Sequence, residues 1–246
     1  MNDRIDLKAP KRWKDLTLDQ LRAVAETMRL TLTREEVLFV LFCRFCKVKK
    51  VIATVRHIDK KEGFDLFEDE NGKRFTLDTW QIADFCKRLE FVLDETPCDI
   101  ANPTTIDRHL MKATFGQYFR ANDLLKECSS RQDDYLPGQM KQALEILGDS
   151  GTDCNDMATY GMVLLWWHGV TEVFRLRYPN VFQQDDGESK KVSSFDTLQN
   201  IYLMLNDDDP TKNAELNDCN VHDVFSALDN KIRKMKIEAE QLKKLK

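Results

Sequence analysis

The sequence predicts a mainly α protein: a multi-helix bundle with a small antiparallel β-hairpin insert at about residues 50–77. Three observations predict it. Good helix formers are abundant, whereas only 9 Gly and 6 Pro occur in 246 residues, too few for a chain built of many tight turns. Apolar residues recur at helical spacing through most of the chain. Around Asn71-Gly72 the pattern changes to alternating apolar and polar residues, and Asn-Gly between such runs is a strong hairpin signal.

The first helix should start at Thr17. Thr17-Leu18-Asp19-Gln20 reads as a capping box, followed by Leu18, Leu21, Val24, Ala25 and Met28 at helical spacing, with Leu16 placed to staple onto them. A second box, Thr33-Arg34-Glu35-Glu36, opens a more apolar helix through Val37, Leu38, Val40, Leu41, Phe42 and Phe45. The short link predicts an αα-hairpin. Val51–Val55, Phe64–Phe67 and Arg74–Leu77 predict two or three strands, which must lie on helices to be stable. Helix resumes near Asp78 or Thr79, with Trp80, Ile82, Ala83, Phe85, Cys86, Leu89 and Val92 as its buried face. Pro97 and Pro103 mark 94–105 as a connection. A helical pattern then runs from about Thr105 to Cys128, and Ser129–Asp134 reads as a loop. Pro137 suits a first helical position and Gly148 a helix stop. Loop 149–155 is the clearest break in the chain. It divides an N-terminal helical region with the hairpin insert (1–148) from a C-terminal helical region (149–246), expected to pack into one body because neither has enough helices for a large core. Met157–Tyr178 is the most apolar helix, stopped by Pro179. Beyond the acidic loop Gln183–Ser189 come helices Ser194–Leu205 and Val221–Leu245.

Composition limits the function classes. The formal net charge of −5 provides no global basic field for nucleic acid. No apolar run approaches the ~20 residues that span a bilayer, and the charged start MNDRIDLKAPKRWKDL lacks the apolar core of a signal peptide. Seven scattered cysteines suggest free thiols rather than a disulfide framework. A cytoplasmic protein with no membrane partner is expected.

No complete catalytic motif is present, so a non-enzymatic protein is expected. Neither Gly-x4-Gly-Lys-Ser/Thr nor Gly-x-Gly-x-x-Gly occurs, and no cofactor is implied. Cys43-x-x-Cys46 lies late in a helix rather than at its N-terminus, and no second pair completes four zinc ligands. Core cysteines are the expectation, and no metal site is assigned; His57 and Cys86 could join such a site only in space. Asp185-Asp186 and Asp207-Asp208-Asp209 lack the central Gly of a calcium loop and read as solvated turns. His168 beside Trp166-Trp167 has no nucleophile at a recognisable elbow. Adjacent tryptophans face two sides of a helix, so one can pack inward while the other meets a partner. The partner-binding candidates are therefore Trp166, Trp167, His168 and Phe174, with Phe225 and Leu228 on the last helix. Past Leu228 that helix turns Lys-rich, with Ile232, Met235, Leu242 and Leu245 at rough helical spacing and Ile237 off that register. It reads as an exposed terminal helix, next as a partner-binding or coiled-coil arm, and last as a nucleic-acid contact, since no aromatic interleaves its basic residues.

Four stretches carry a resemblance: "RWKDLTLDQLRAVA" (12–25), "LTREEVLFVLFCRF" (32–45), "NGKRFTL" (71–77) and "LLWWHGVTEVFRLRYPNVF" (164–182). Together they resemble proteins encoded among the tail-assembly genes of Bacteroidetes phages and prophages. The resemblance implies a mostly helical fold with a small β-insert. It also implies a role like that of a tail-assembly chaperone, with tail tube or tape-measure proteins as partners. None of the phrases is a catalytic signature. Self-association is left open. The alternatives are a regulatory or nucleic-acid-binding module that uses the basic last helix, and an enzyme whose site is assembled from scattered residues, such as His168 with Cys154, or Cys43 and Cys46 with His57.

Overall fold

The computed structural model describes residues 7–56, 63–130, 135–182, 194–206 and 209–244. The described chain is mainly helical with one small three-stranded antiparallel sheet. Packing divides it into two units, residues 1–103 with 156–169 and residues 104–155 with 170–246. The units are not consecutive stretches. One division falls at the end of loop 149–155, another at 103/104, and a third inside the long apolar helix at 169/170.

In the first unit, α1 (Leu18–Thr27) and α2 (Arg34–Phe45) begin where their capping boxes predict. Each Thr hydroxyl accepts the amide of the residue three positions on, while Gln20 and Glu36 accept the Thr17 and Thr33 amides. Lys47, at φ +54°, turns the chain out of α2. The sheet follows in the order β1 (Val48–Arg56), β2 (Gly63–Asp69), β3 (Arg74–Asp78). At the β2–β3 turn Gly72 takes φ +77°, and the Asp69 carboxylate accepts the amides of Asn71 and Lys73, each at 2.9 Å. Phe67 is the central residue of the sheet's buried face, 5.6 Å from Phe42 of α2 between ring centroids. The Asp65 carboxylate is buried on β2 and meets Lys50 Nζ at 2.9 Å.

Helices α3 (Thr79–Arg88) and α4 (Phe91–Asp94) complete this part of the unit. Ile82, Phe85 and Leu89 of the expected α3 face are buried, but Trp80 is 58% exposed. Trp80 stands two residues before Ile82, hence on the other side of the helix, and its Nε1 donates to Asp78 at 3.2 Å.

The second unit departs further from expectation. The helix expected from Thr105 starts ten residues later, as α5 (Phe115–Ser130). Asp107 explains the delay. Its carboxylate accepts the amides of His109 (3.1 Å) and Met111 (3.0 Å), and Leu110 sits at φ +51°, so residues 107–111 form a side-chain-tied turn. An unanticipated capping box, Thr114 with Gln117, then opens α5. Helix α6 (Pro137–Ile146) has Pro at its first position and Gly148 at φ +95° beyond its end, as the sequence predicts.

The long helix α7 (Met157–Arg177) gives its first part to one unit and its remainder to the other. Then come α8 (Ser194–Asn206), the unanticipated short α9 (Asn213–Asp218), and α10 (Val221–Lys244). Backbone pairing joins the starts of α5 and α10: Phe115 N–H donates to Cys219 O at 2.9 Å and Val221 N–H to Ala113 O at 3.1 Å. The acidic loop Gln183–Ser189, with Asp185-Asp186, lies outside the described residues, as do His57, Asp207, Asp208 and Leu245.

Candidate interaction surface

Helix α7 is apolar on nearly all sides, and a helix of that kind is buried rather than displayed. Trp166 is 1% exposed and Trp167 is also buried, with ring centroids 5.9 Å apart. Trp166 Nε1 is enclosed with no hydrogen-bond acceptor. Close approaches of neighbouring residues explain the two α7 glycines. A Cβ at Gly161 would come within 3.0 Å of Ala25 Cβ, and one at Gly169 within 3.2 Å of Pro97 O.

Phe174 and Phe225 come together in the core of the second unit, ring centroids 5.6 Å apart. Leu228 is buried too. Of the six residues the sequence singles out, five are therefore core, and His168 alone is exposed. The structure joins Phe174 to Phe225, but places Trp166, Trp167 and His168 in the first unit.

His222 is the buried polar group the sequence did not signal. Its ring stacks on Phe174 at 5.0 Å. Nδ1 lies 2.7 Å from the Tyr178 hydroxyl and Nε2 lies 2.6 Å from the backbone oxygen of His109. Both ring nitrogens are thus engaged by the fold, and the arrangement anchors the start of α10. Asp149 has a similar structural role. It is buried, yet it accepts from the amides of Thr105, Gly151 and Thr152 and from the Thr152 hydroxyl, at 2.7–3.1 Å. Burial alone would raise its carboxyl, but these donors outweigh burial and hold it below the usual carboxylate range. The pattern Asp149-x-Gly-Thr was the available sequence signal.

Burial disfavours the thiolate at four of the cysteines. Burial pushes the Cys43 and Cys86 thiols up to about 11 and the Cys46 thiol up to about 12, and neighbouring thiols add to the rise at Cys43 and Cys46. Nucleophile and metal ligand alike need the thiolate. Cys154 is buried, and its thiol is likewise raised, first by burial and then by nearby acids. Among the described residues no group of three or more His, Cys, Asp or Glu is placed to hold a metal ion. Asp209 acts as a cap, accepting the Thr211 amide (3.0 Å) and hydroxyl (2.6 Å).

An open groove of about 510 Å³ in the second unit is lined by Thr114, Gly116, Phe119, Arg120 and Tyr202, among others. On its polar side Tyr202 Oη donates to Asn217 Oδ1 at 2.7 Å.

Helix α10 is different in kind. Its first turns are core: Val221, Val224, Phe225 and Leu228 are all buried. Lys231 Nζ donates to Met204 O, and Lys236 Nζ to Asn180 Oδ1 at 3.2 Å, so the second unit holds the helix through its middle. Apolar side chains of this helix are exposed from Met235 onward. Met235 is 50% exposed and Leu242 62% exposed. No helix among the described residues is long and apolar enough to cross a membrane. A scan against protein-family models and searches of curated proteins and of solved structures found no match.

Proposed function

We propose that the chain is a non-enzymatic interaction protein of phage or prophage tail assembly. In this reading it works in the manner of a tail-assembly chaperone that covers apolar segments of a tail tube or tape-measure protein. One observation supports the interaction role above the others: the apolar row of α10 begins as core and runs on, exposed, at Met235 and Leu242. A row that continues past its own core is surface available to another chain. The phage setting is supported by the sequence resemblance.

The test is a pull-down of the tagged full chain from cells expressing a complete phage or prophage, with the bound chains identified by mass spectrometry. Tail tube or tape-measure chains are expected, with recovery reduced several-fold for Leu242→Asp. Recovery of no tail chain, or equal recovery with Leu242→Asp, would overturn the proposal.

A further inference from the structure

The exposed end of α10 also carries information about the chemistry of what it meets. Phe225, Leu228, Ile232, Met235, Ala239 and Leu242 follow one another at alternating intervals of three and four residues. That is the seam of a left-handed coiled coil, whose knobs need the holes of a facing helix. The second unit supplies the cover for Phe225 and Leu228, which are buried, whereas Met235 and Leu242 are half or more exposed.

Charge selects the facing helix. Residues 233–244 hold five Lys or Arg (Arg233, Lys234, Lys236, Lys243, Lys244) against two acids, Glu238 and Glu240. Lys243, and Lys236 whose Nζ also donates to Asn180 Oδ1, stand immediately beside the seam. A second copy gains no net attraction from such a row. In parallel register, Lys231 of one copy meets Lys236 of the other for every Glu238 that meets Lys243. An antiparallel pairing centred on the exposed seam sets Lys236 against Lys236 and Glu238 against Glu238. Like charges flanking a seam oppose association, and opposite charges select a partner.

We infer that the distal seam of α10 takes an acidic amphipathic helix of a different protein, with aliphatic residues in its own seam and Glu or Asp beside them. The inference rests on the interaction reading above and adds the partner's chemistry.

The test titrates the full chain with two labelled synthetic peptides, each about three heptads long. Both carry Leu and Ile in the seam; one has Glu at the flanking positions and the other Lys. Fluorescence anisotropy should show saturable binding of the Glu peptide only. That binding should weaken with added salt and fall at least about tenfold for Leu242→Asp. Leu242 is exposed, so the melting curve of this variant should match the unmodified chain. The double variant Lys236→Glu, Lys243→Glu should reverse the preference between the peptides.

Equal binding of both peptides, or no saturable binding up to roughly 1 mM, would overturn the inference. So would sedimentation showing self-association that Leu242→Asp abolishes, or binding of a DNA duplex that Leu242→Asp abolishes. If the Glu peptide fails while the pull-down still recovers tail chains in a Leu242-dependent way, the partner chemistry is wrong and the assembly reading stands. If both fail, the assembly reading falls as well.

Discussion

Helices α7 and α10 both bring large apolar residues to the molecule, and they use them differently. The Trp pair and Phe174 on α7 have closed environments, with Gly161 against the Ala25 side chain and Gly169 against the Pro97 backbone letting neighbouring residues come close. Helix α10 has an apolar row on one face and charge on the others. Its first two turns are as buried as the Trp pair and Phe174 of α7; its last turns carry Met235 and Leu242 open to solvent over several turns, whereas on α7 exposure of a large apolar residue is confined to the ends, at Met157 and Leu176. The difference teaches that apolar content alone does not mark an interaction surface. What marks it is a row that outlasts the core it begins in.

The largest expected effects come from the buried members of each helix. Trp166→Ala in α7 and Phe225→Ala in α10 should each destabilise by about 3–5 kcal/mol, the range for removing a buried aromatic, read as a fall in the urea midpoint. If Phe225→Ala cost little, the two halves of α10 would not differ and the comparison would fail.

A smaller loss is expected at the approach to α7. Asp149→Asn leaves several buried donors under-satisfied and should cost about 1–3 kcal/mol. The same carboxylate sets a pH dependence. Its folded-state pKa is lowered, so its stabilisation is complete above its unfolded value of about 3.9 and is lost as pH falls through the folded value. Unfolding midpoints of the unmodified chain should therefore drop more steeply below about pH 4 than those of Asp149→Asn.

Trp166→Phe separates the ring from its N–H. Because Nε1 is enclosed without an acceptor, losing it relieves an unmet donor while the aromatic volume is mostly kept. The net change should lie within about 1.5 kcal/mol. A loss as large as that of Trp166→Ala would mean that Nε1 has an acceptor.

The smallest effect sharpens the comparison most. Leu242→Ala, at a 62% exposed position, should move stability by no more than about 0.5 kcal/mol.

Several self-contained local signals were legible in the sequence. The Thr17 and Thr33 caps, the Asn71-Gly72 turn, Pro137 and Gly148 each act over three or four residues, and each appears where it was expected. Competing local signals were missed, and so were those that depend on a distant partner. Thr105 to Thr114 has helical apolar spacing, but the Asp107 carboxylate captures two amides and turns that segment out of the helix. Trp80 has the bulk of a core residue but stands off the row set by Ile82 and Phe85. The Trp pair was read in two ways, as core and as contact surface. Periodicity could not choose, because α7 is apolar in nearly every direction; the structure buries both rings. His222 carries no local pattern, since the groups that hold it, Tyr178 and His109, come from elsewhere in the chain. The three-and-four spacing of α10 was present in the sequence, but where its cover ends is a property of the folded unit.

Amide hydrogen exchange along α10 of the full chain tests the central claim most directly. Exposed helical turns without tertiary packing exchange readily, whereas turns docked on a core are protected up to the stability of the fold. Strong protection over 224–231 with little over 238–244 is the expected result, and it would place the end of the core where the exposed row begins. Equal protection along the whole helix would contradict the account, because it would mean that Met235 and Leu242 are already covered and have no surface to offer.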